Sequence, residues 1–241
     1  MPTWRGDSVF VHFPRTGSNW TCNILSKRGG TTAEVHDPPW SFAESDWDKT
    51  LISNSRDPWS WYGSLWLIAA KKHRRLAKIQ GAGEWDFKTM LRVWTHPHED
   101  PRGLQAWITP VWDVQAQGLC RERVLASNCG LWSWFCSYFY ATRETWGLIN
   151  EFEWGVDYLV DHARLVDGWS IYLQEDLSSE SARIADGTAS RDLYRKSHNY
   201  ADWYDDEMME WVLRRDEWGL DLLGYQEASG FSKFNSLERM R

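Results

Sequence analysis

Two short segments carry the residue types that hold anions. In the first, the apolar run Val9 to Phe13 breaks at Pro14 into Arg15-Thr16-Gly17-Ser18-Asn19-Trp20. Pro14 stops strand pairing, and the small polar residues after it suit a tight loop that opens a helix. The first N–H groups of a helix lack intrahelical partners and the macrodipole adds positive potential, so an anion there meets donors already oriented toward it. Arg15 supplies a full charge. In the second segment, Arg56-Asp57-Pro58 follows Leu51-Ile52, with Ser60 and Ser64 behind it. Asp57 suits an N-cap and Pro58 a first helical position. Arg56 then leaves a strand tip as a charged fork, while Ser64, one turn beyond Ser60, can turn its hydroxyl toward the same side.

The elements that must position these segments alternate between strand and helix. Residues 8–13 read as a buried strand, 19–27 as a helix closed by Gly29-Gly30, and 31–36 as a second strand ended by Asp37-Pro38-Pro39. A strand over 50–55 leads into a helix that carries Trp61, Tyr62, Leu65, Trp66, Ile68 and Ala69 at helical spacing. Its basic end, Lys71-Lys72-His73-Arg74-Arg75, is read as a solvated last turn favoured by the helix dipole. This order predicts an α/β fold with a parallel central sheet and flanking helices, whose ligand loops gather at the carboxyl ends of the strands. The Arg15 loop and the Arg56 turn become neighbours.

Residues 80–155 are punctuated by glycine and proline, with helices expected over 85–93 and 104–117, and are read as a substrate-side insert. From Val156 the pattern recovers as a strand at 158–160, a helix at 167–177, a polar loop to Ser190 and a helix at 203–218. Residues 230–241 read as a loose tail, and 1–241 as one domain.

The 27 basic and 34 acidic residues leave a formal charge of −7, which argues against a general nucleic-acid or anionic-membrane binder. An anionic ligand therefore needs a local basic pocket. The Val9 to Phe13 run is too short for a signal-peptide core or a membrane span. Cys22, Cys120, Cys129 and Cys136 show no Cys-x-x-Cys spacing, which favours reduced thiols and a soluble, cytoplasmic protein. His96-Pro97-His98-Glu99-Asp100 lacks further ligands at recognisable spacing, so no metal is assigned. The 19 tryptophans are read mostly as packing.

No Gly-x-x-x-x-Gly-Lys-Ser/Thr is present, which counts against a nucleoside triphosphatase. Pro14 to Trp20 instead resembles the 5′-phosphosulfate loop of the PAPS-dependent sulfotransferases. Arg56-Asp57-Pro58, with Ser64 eight residues after Arg56, resembles their 3′-phosphate motif. Arg195-Lys196-Ser197 followed by Asp202-Trp203 is similar to the segment that closes over that phosphate, with Ser in place of Gly. The stretch from Trp203 to Gly224-Tyr225 resembles the family's closing helix and terminal Gly-Tyr. The resemblance leaves 80–155 without a motif.

It implies a P-loop-like sulfotransferase fold that binds PAPS and releases PAP. Arg15 and the backbone of Thr16, Gly17, Ser18 and Asn19 would hold the 5′-phosphosulfate, and Trp20 would stack on adenine. Arg56 and Ser64 would hold the 3′-phosphate, assisted by Arg195 and Lys196. Arg15 stands where many members have Lys, and its fork would stabilise charge on the leaving group. The general base is His36, in a segment that resembles the family's Thr-His-x-Pro, or Glu34, which shares a strand face with it. The acceptor expected is a sugar or a small alcohol or phenol hydroxyl. His162 falls where relatives often have an acidic residue and receives no role. A P-loop-like kinase, or a non-catalytic glycan- or protein-binding module on the same fold, are the alternatives.

Overall fold

The computed structural model describes residues 3–5, 8–28, 42–72, 86–100, 122–179, 200–225 and 236–240. The expected strand at 31–36, the helix at 104–117, the polar loop to Ser190 and the basic run beyond Lys72 lie outside them. A five-stranded sheet runs in the order β1 (Thr3–Arg5), β2 (Ser8–Val11), β3 (Thr50–Ser55), β4 (Tyr158–Asp161) and β5 (Leu237–Arg239). β2, β3 and β4 are parallel, with Val11 opposite Ser53 and Ser53 opposite Leu159. The edge strands are antiparallel, which corrects the expectation of a parallel sheet at both margins. β5 also corrects the reading of 230–241 as a loose tail, since Leu237 to Arg239 pair with Val160 to Tyr158.

The inner strands are buried on both faces, as strands covered by helices on each side are, with the polar Ser53, Asn54 and Ser55 at the end of β3. Val9, Val11, Leu51 and Leu159 join the larger core, while Phe10, Ile52 and Val160 join the smaller one. The helices divide accordingly. α1 (Ser18–Ser26) and α6 (Leu165–Leu173) cover the smaller side through Ile24, Leu25, Leu165 and Trp169. α3 (Pro58–Lys72), α4 (Phe87–Thr95), α5 (Leu131–Phe139), α7 (Asp206–Arg215) and α8 (Glu217–Leu223) cover the larger. A one-turn helix, α2 (Glu44–Trp47), precedes β3.

Several boundaries move. β2 stops at Val11 where a strand to Phe13 was expected, and α4 is Phe87–Thr95 where 85–93 was expected. α6 begins at Leu165, two residues before the expected Asp167, and stops at Gln174, whose left-handed conformation (φ 53°) ends the helix. The single helix expected over 203–218 is two helices broken at Asp216. Residues 80–155, expected as an insert, supply part of the main core. All nine residues of α5 are buried, and Trp132, Trp134 and Tyr138 are fully covered.

A helix start buried this deeply must find acceptors for its first N–H groups. Gly130 precedes α5 and has no side chain to cap it, so remote groups do so. The Trp132 N–H donates to the Tyr62 hydroxyl at 3.0 Å and the Ser133 N–H to Asp216 Oδ1 at 2.9 Å. The Tyr62 hydroxyl donates in turn to Asp216 Oδ2 at 2.9 Å. Among the described residues no helix is long and apolar enough to cross a membrane.

Candidate functional site

The three parallel strands end side by side, and the residues that follow them converge. After β2, Phe13 is wholly buried and its carbonyl accepts from both Thr16 Oγ1 (2.9 Å) and Ser18 Oγ (2.6 Å). These two hydroxyls are turned inward and hold the loop closed. Trp61 Nε1 donates to the Pro14 carbonyl at 2.8 Å and pins the loop to α3. Arg15 and Gly17 both take left-handed conformations, φ 68° and φ 84°. Successive reversals of this kind turn backbone N–H groups toward a shared concavity. The groups of the loop that could meet an anion are therefore its amides and the Arg15 fork.

Gly17 has a second requirement. A Cβ there would stand 2.7 Å from Leu165 Cδ2 and 3.3 Å from His162 Cδ2. Gly17→Ala is expected to cost about 1–2 kcal/mol for the left-handed backbone alone and to displace His162 or Leu165. Urea denaturation checks this, and a loss below about 0.5 kcal/mol would mean that the loop relaxes freely.

After β3, Asp57 caps α3 by accepting the Ser60 N–H at 2.8 Å, and it also accepts the Ser60 hydroxyl. Burial raises the Asp57 carboxyl above its ordinary range, although the Ser60 hydrogen bonds and the Arg56 charge oppose the shift. Arg56 is only 6% exposed. Its Nε donates to Ser60 Oγ at 2.8 Å and its Nη1 to the Arg15 carbonyl at 2.9 Å. Arg15 in turn reaches α3, donating from Nε (3.0 Å) and Nη2 (2.5 Å) to the buried Ser64 Oγ. The sequence places Arg15 and Ser64 in separate motifs; the fold joins them directly.

After β4 comes His162, which the sequence analysis left without a role. Its half-buried ring lies against Gly17 at the floor of the loop. Loss of water pushes its pKa well below the ordinary 6.5, and the Arg56 and then the Arg15 guanidiniums push it the same way. Its signal in the sequence was its place directly after a core strand, parallel to the two whose ends bear Arg15 and Arg56. Tyr225, noted only within a Gly-Tyr match, also reaches this edge. Its hydroxyl lies 3.1 Å from Ser55 Oγ and 3.4 Å from Asp161 Oδ1, tying the end of α8 to the ends of β3 and β4.

A polar pair behind the site fixes α1. Asn54 Nδ2 donates to Thr21 Oγ1 at 2.9 Å and Asn54 Oδ1 accepts from Trp169 Nε1 at 2.8 Å, so one buried side chain of β3 joins α1 to α6. Trp20, expected to stack on adenine, is half-buried and packs on the smaller core, while Asn19 is exposed. Glu34, His36, Arg195 and Lys196 lie outside the described residues. Among the described residues no group of three or more His, Cys, Asp and Glu stands close enough to hold a metal ion. Comparison with protein-family models, curated proteins and solved structures returns no match to this chain.

Proposed function

We propose that this chain is a PAPS-dependent sulfotransferase acting on a hydroxyl of a sugar or a small alcohol or phenol. The observation that supports this best is the meeting of the two motifs, with Arg15 on Ser64 and Arg56 on the Arg15 carbonyl, across 49 and 41 residues of sequence. Two guanidiniums, a buried serine hydroxyl and a helix N-terminus at the ends of parallel strands suit a ligand with more than one anionic group. Bisphosphorylated adenosine has that charge distribution.

In this reading PAPS supplies the sulfuryl group and leaves as PAP. Arg56 and Ser64 hold one phosphate, and the loop amides with Arg15 hold the other. Arg15 carries the charge that develops on the leaving oxygen, and His36 or Glu34 takes the proton of the acceptor hydroxyl.

A thermal-shift comparison of PAP, ADP and AMP, each with and without Mg²⁺, tests the assignment. Stabilisation should be largest with PAP and independent of metal, because the paired arginines, not a metal ion, supply the positive charge. Equal response to all three nucleotides, or a requirement for Mg²⁺, sinks it.

A further inference from the structure

Arg15 and Arg56 follow the first two of the three parallel strands, and both enter the reading above. The residue that follows the third is His162, and nothing yet gives it work to do. We propose that His162 is a third anion-binding residue of this site, which takes up a proton as the ligand binds and then donates a ring N–H to a ligand oxygen. The inference rests on the anion site of the proposed function and not on which nucleotide fills it.

Placement carries the argument. His162 opens the turn His162–Arg164 at the end of β4, and its ring edge lies where a side chain on Gly17 would touch it. It lies against the loop that carries Arg15, and because Ser55 stands opposite Asp161, His162 and Arg56 leave neighbouring strands side by side. The groups around it can be named element by element. The β2–α1 loop presents Arg15, and the end of β3 presents Arg56. On its own strand, Asp161 accepts from the Ala163 N–H at 3.1 Å and faces the Tyr225 hydroxyl at 3.4 Å. α6 presents Leu165, which is apolar. Asp57 lies beyond Arg56 and engages Ser60. Burial is the first cause that disfavours imidazolium here, and the charges turned on the ring, the Arg56 and then the Arg15 guanidiniums, add to it.

With the site empty, a third positive charge is disfavoured and the ring is neutral. A multiply charged anion reverses the local sign, and an opposite charge within hydrogen-bonding reach favours imidazolium. The step is a proton transfer from solvent to a ring nitrogen, with no other bond made or broken. Binding and protonation are then linked reciprocally, so affinity must rise as pH falls.

Isothermal titration of the whole chain with sulfate and with PAP, in two buffers of different ionisation enthalpy, tests this. Sulfate keeps its charge across the range and isolates the protein's contribution. Wild-type protein should bind sulfate about tenfold more tightly near pH 5.5 than near pH 8 and take up a proton on binding. His162→Gln, neutral at every pH, should show neither effect with sulfate, and with PAP the difference between the two proteins should reproduce the same dependence. The buffer comparison on wild-type protein needs no variant, so misfolding of His162→Gln cannot blur the outcome. Binding with no proton uptake, or the wild-type slope retained in His162→Gln, overturns the inference. Sulfate binding with this pH dependence but no preference for PAP over AMP supports His162 while removing the PAPS assignment. Failure of every anion to bind removes both.

Discussion

Asp216→Ala is expected to lower stability by about 3–5 kcal/mol near pH 5. Asp216 is fully buried between α7 and α8 and accepts from the Tyr62 hydroxyl and the Ser133 N–H. Truncation leaves both donors in the core without their acceptor and removes the cap of the most deeply buried helix. The fit is close, because a Cβ on Gly130 would stand 2.5 Å from Asp216 Oδ1. The effect must also depend on pH. Burial pushes the Asp216 carboxyl from 3.8 up to about 7, against the hydrogen bonds from Ser133 and Tyr62. A carboxyl with a raised native pKa stabilises the fold fully below pH 3.8, and that stability is lost as pH rises toward 7. At about 1.4 kcal/mol per pH unit, the loss in Asp216→Ala should shrink by about 3 kcal/mol between pH 5 and pH 8. Guanidinium unfolding at both pH values measures it. An equal loss at both would show that Asp216 is ionised throughout.

This network also shows where sequence reading stops. The strands β2, β3 and β4 were legible because short apolar runs, Val9 to Phe13, Leu51-Ile52 and Tyr158 to Val160, stand between turn signals and have few other homes. Asp57 and Pro58 were legible because caps are local chemistry, and the Ser60 N–H does reach Asp57. Asp216 was not, since it lies inside an amphipathic stretch and its partners Tyr62 and Ser133 are 154 and 83 residues away. The aromatic run at 131–135 read as part of an insert for the same reason. Nothing local in Leu131-Trp132-Ser133-Trp134-Phe135 tells a core helix from a substrate wall. The site divides likewise. Arg15, Arg56 and Ser64 were found through motif spacing, whereas the inward turn of the Thr16 and Ser18 hydroxyls depends on where the Phe13 carbonyl points. The placement of His162 beside them needed the order of the strands.

Arg56→Ala should weaken PAP binding by about ten- to a hundredfold, the 1.5–3 kcal/mol of one charge-assisted contact. The structure gives two routes to that loss. The fork is removed from the ligand, and the Arg15 carbonyl loses the donor that helps hold Arg15 in its left-handed conformation. Arg56→Lys separates them, because an ammonium keeps the charge but cannot serve Ser60 and the Arg15 carbonyl with the same planar fork. Affinity should fall in the order wild type, Lys, Ala. A PAP affinity in Arg56→Ala within twofold of wild type contradicts the site. The same substitution acts on His162. Its native pKa is held below the ordinary 6.5 by burial, then by Arg56, then by Arg15. A base with a depressed native pKa supports the fold above its unfolded value and loses that support as pH falls below it. Removing Arg56 relieves one cause, so the ligand-free variant should lose less stability than wild type between pH 6.5 and pH 5. The opposing contribution of Asp216 is common to both proteins and cancels in the difference. Asp57, whose rise Arg56 also opposes, moves this difference the same way, so the same pair of curves repeated in a His162→Gln background isolates the contact between Arg56 and His162; an Arg56→Ala effect unchanged in that background would place the two residues outside each other's field.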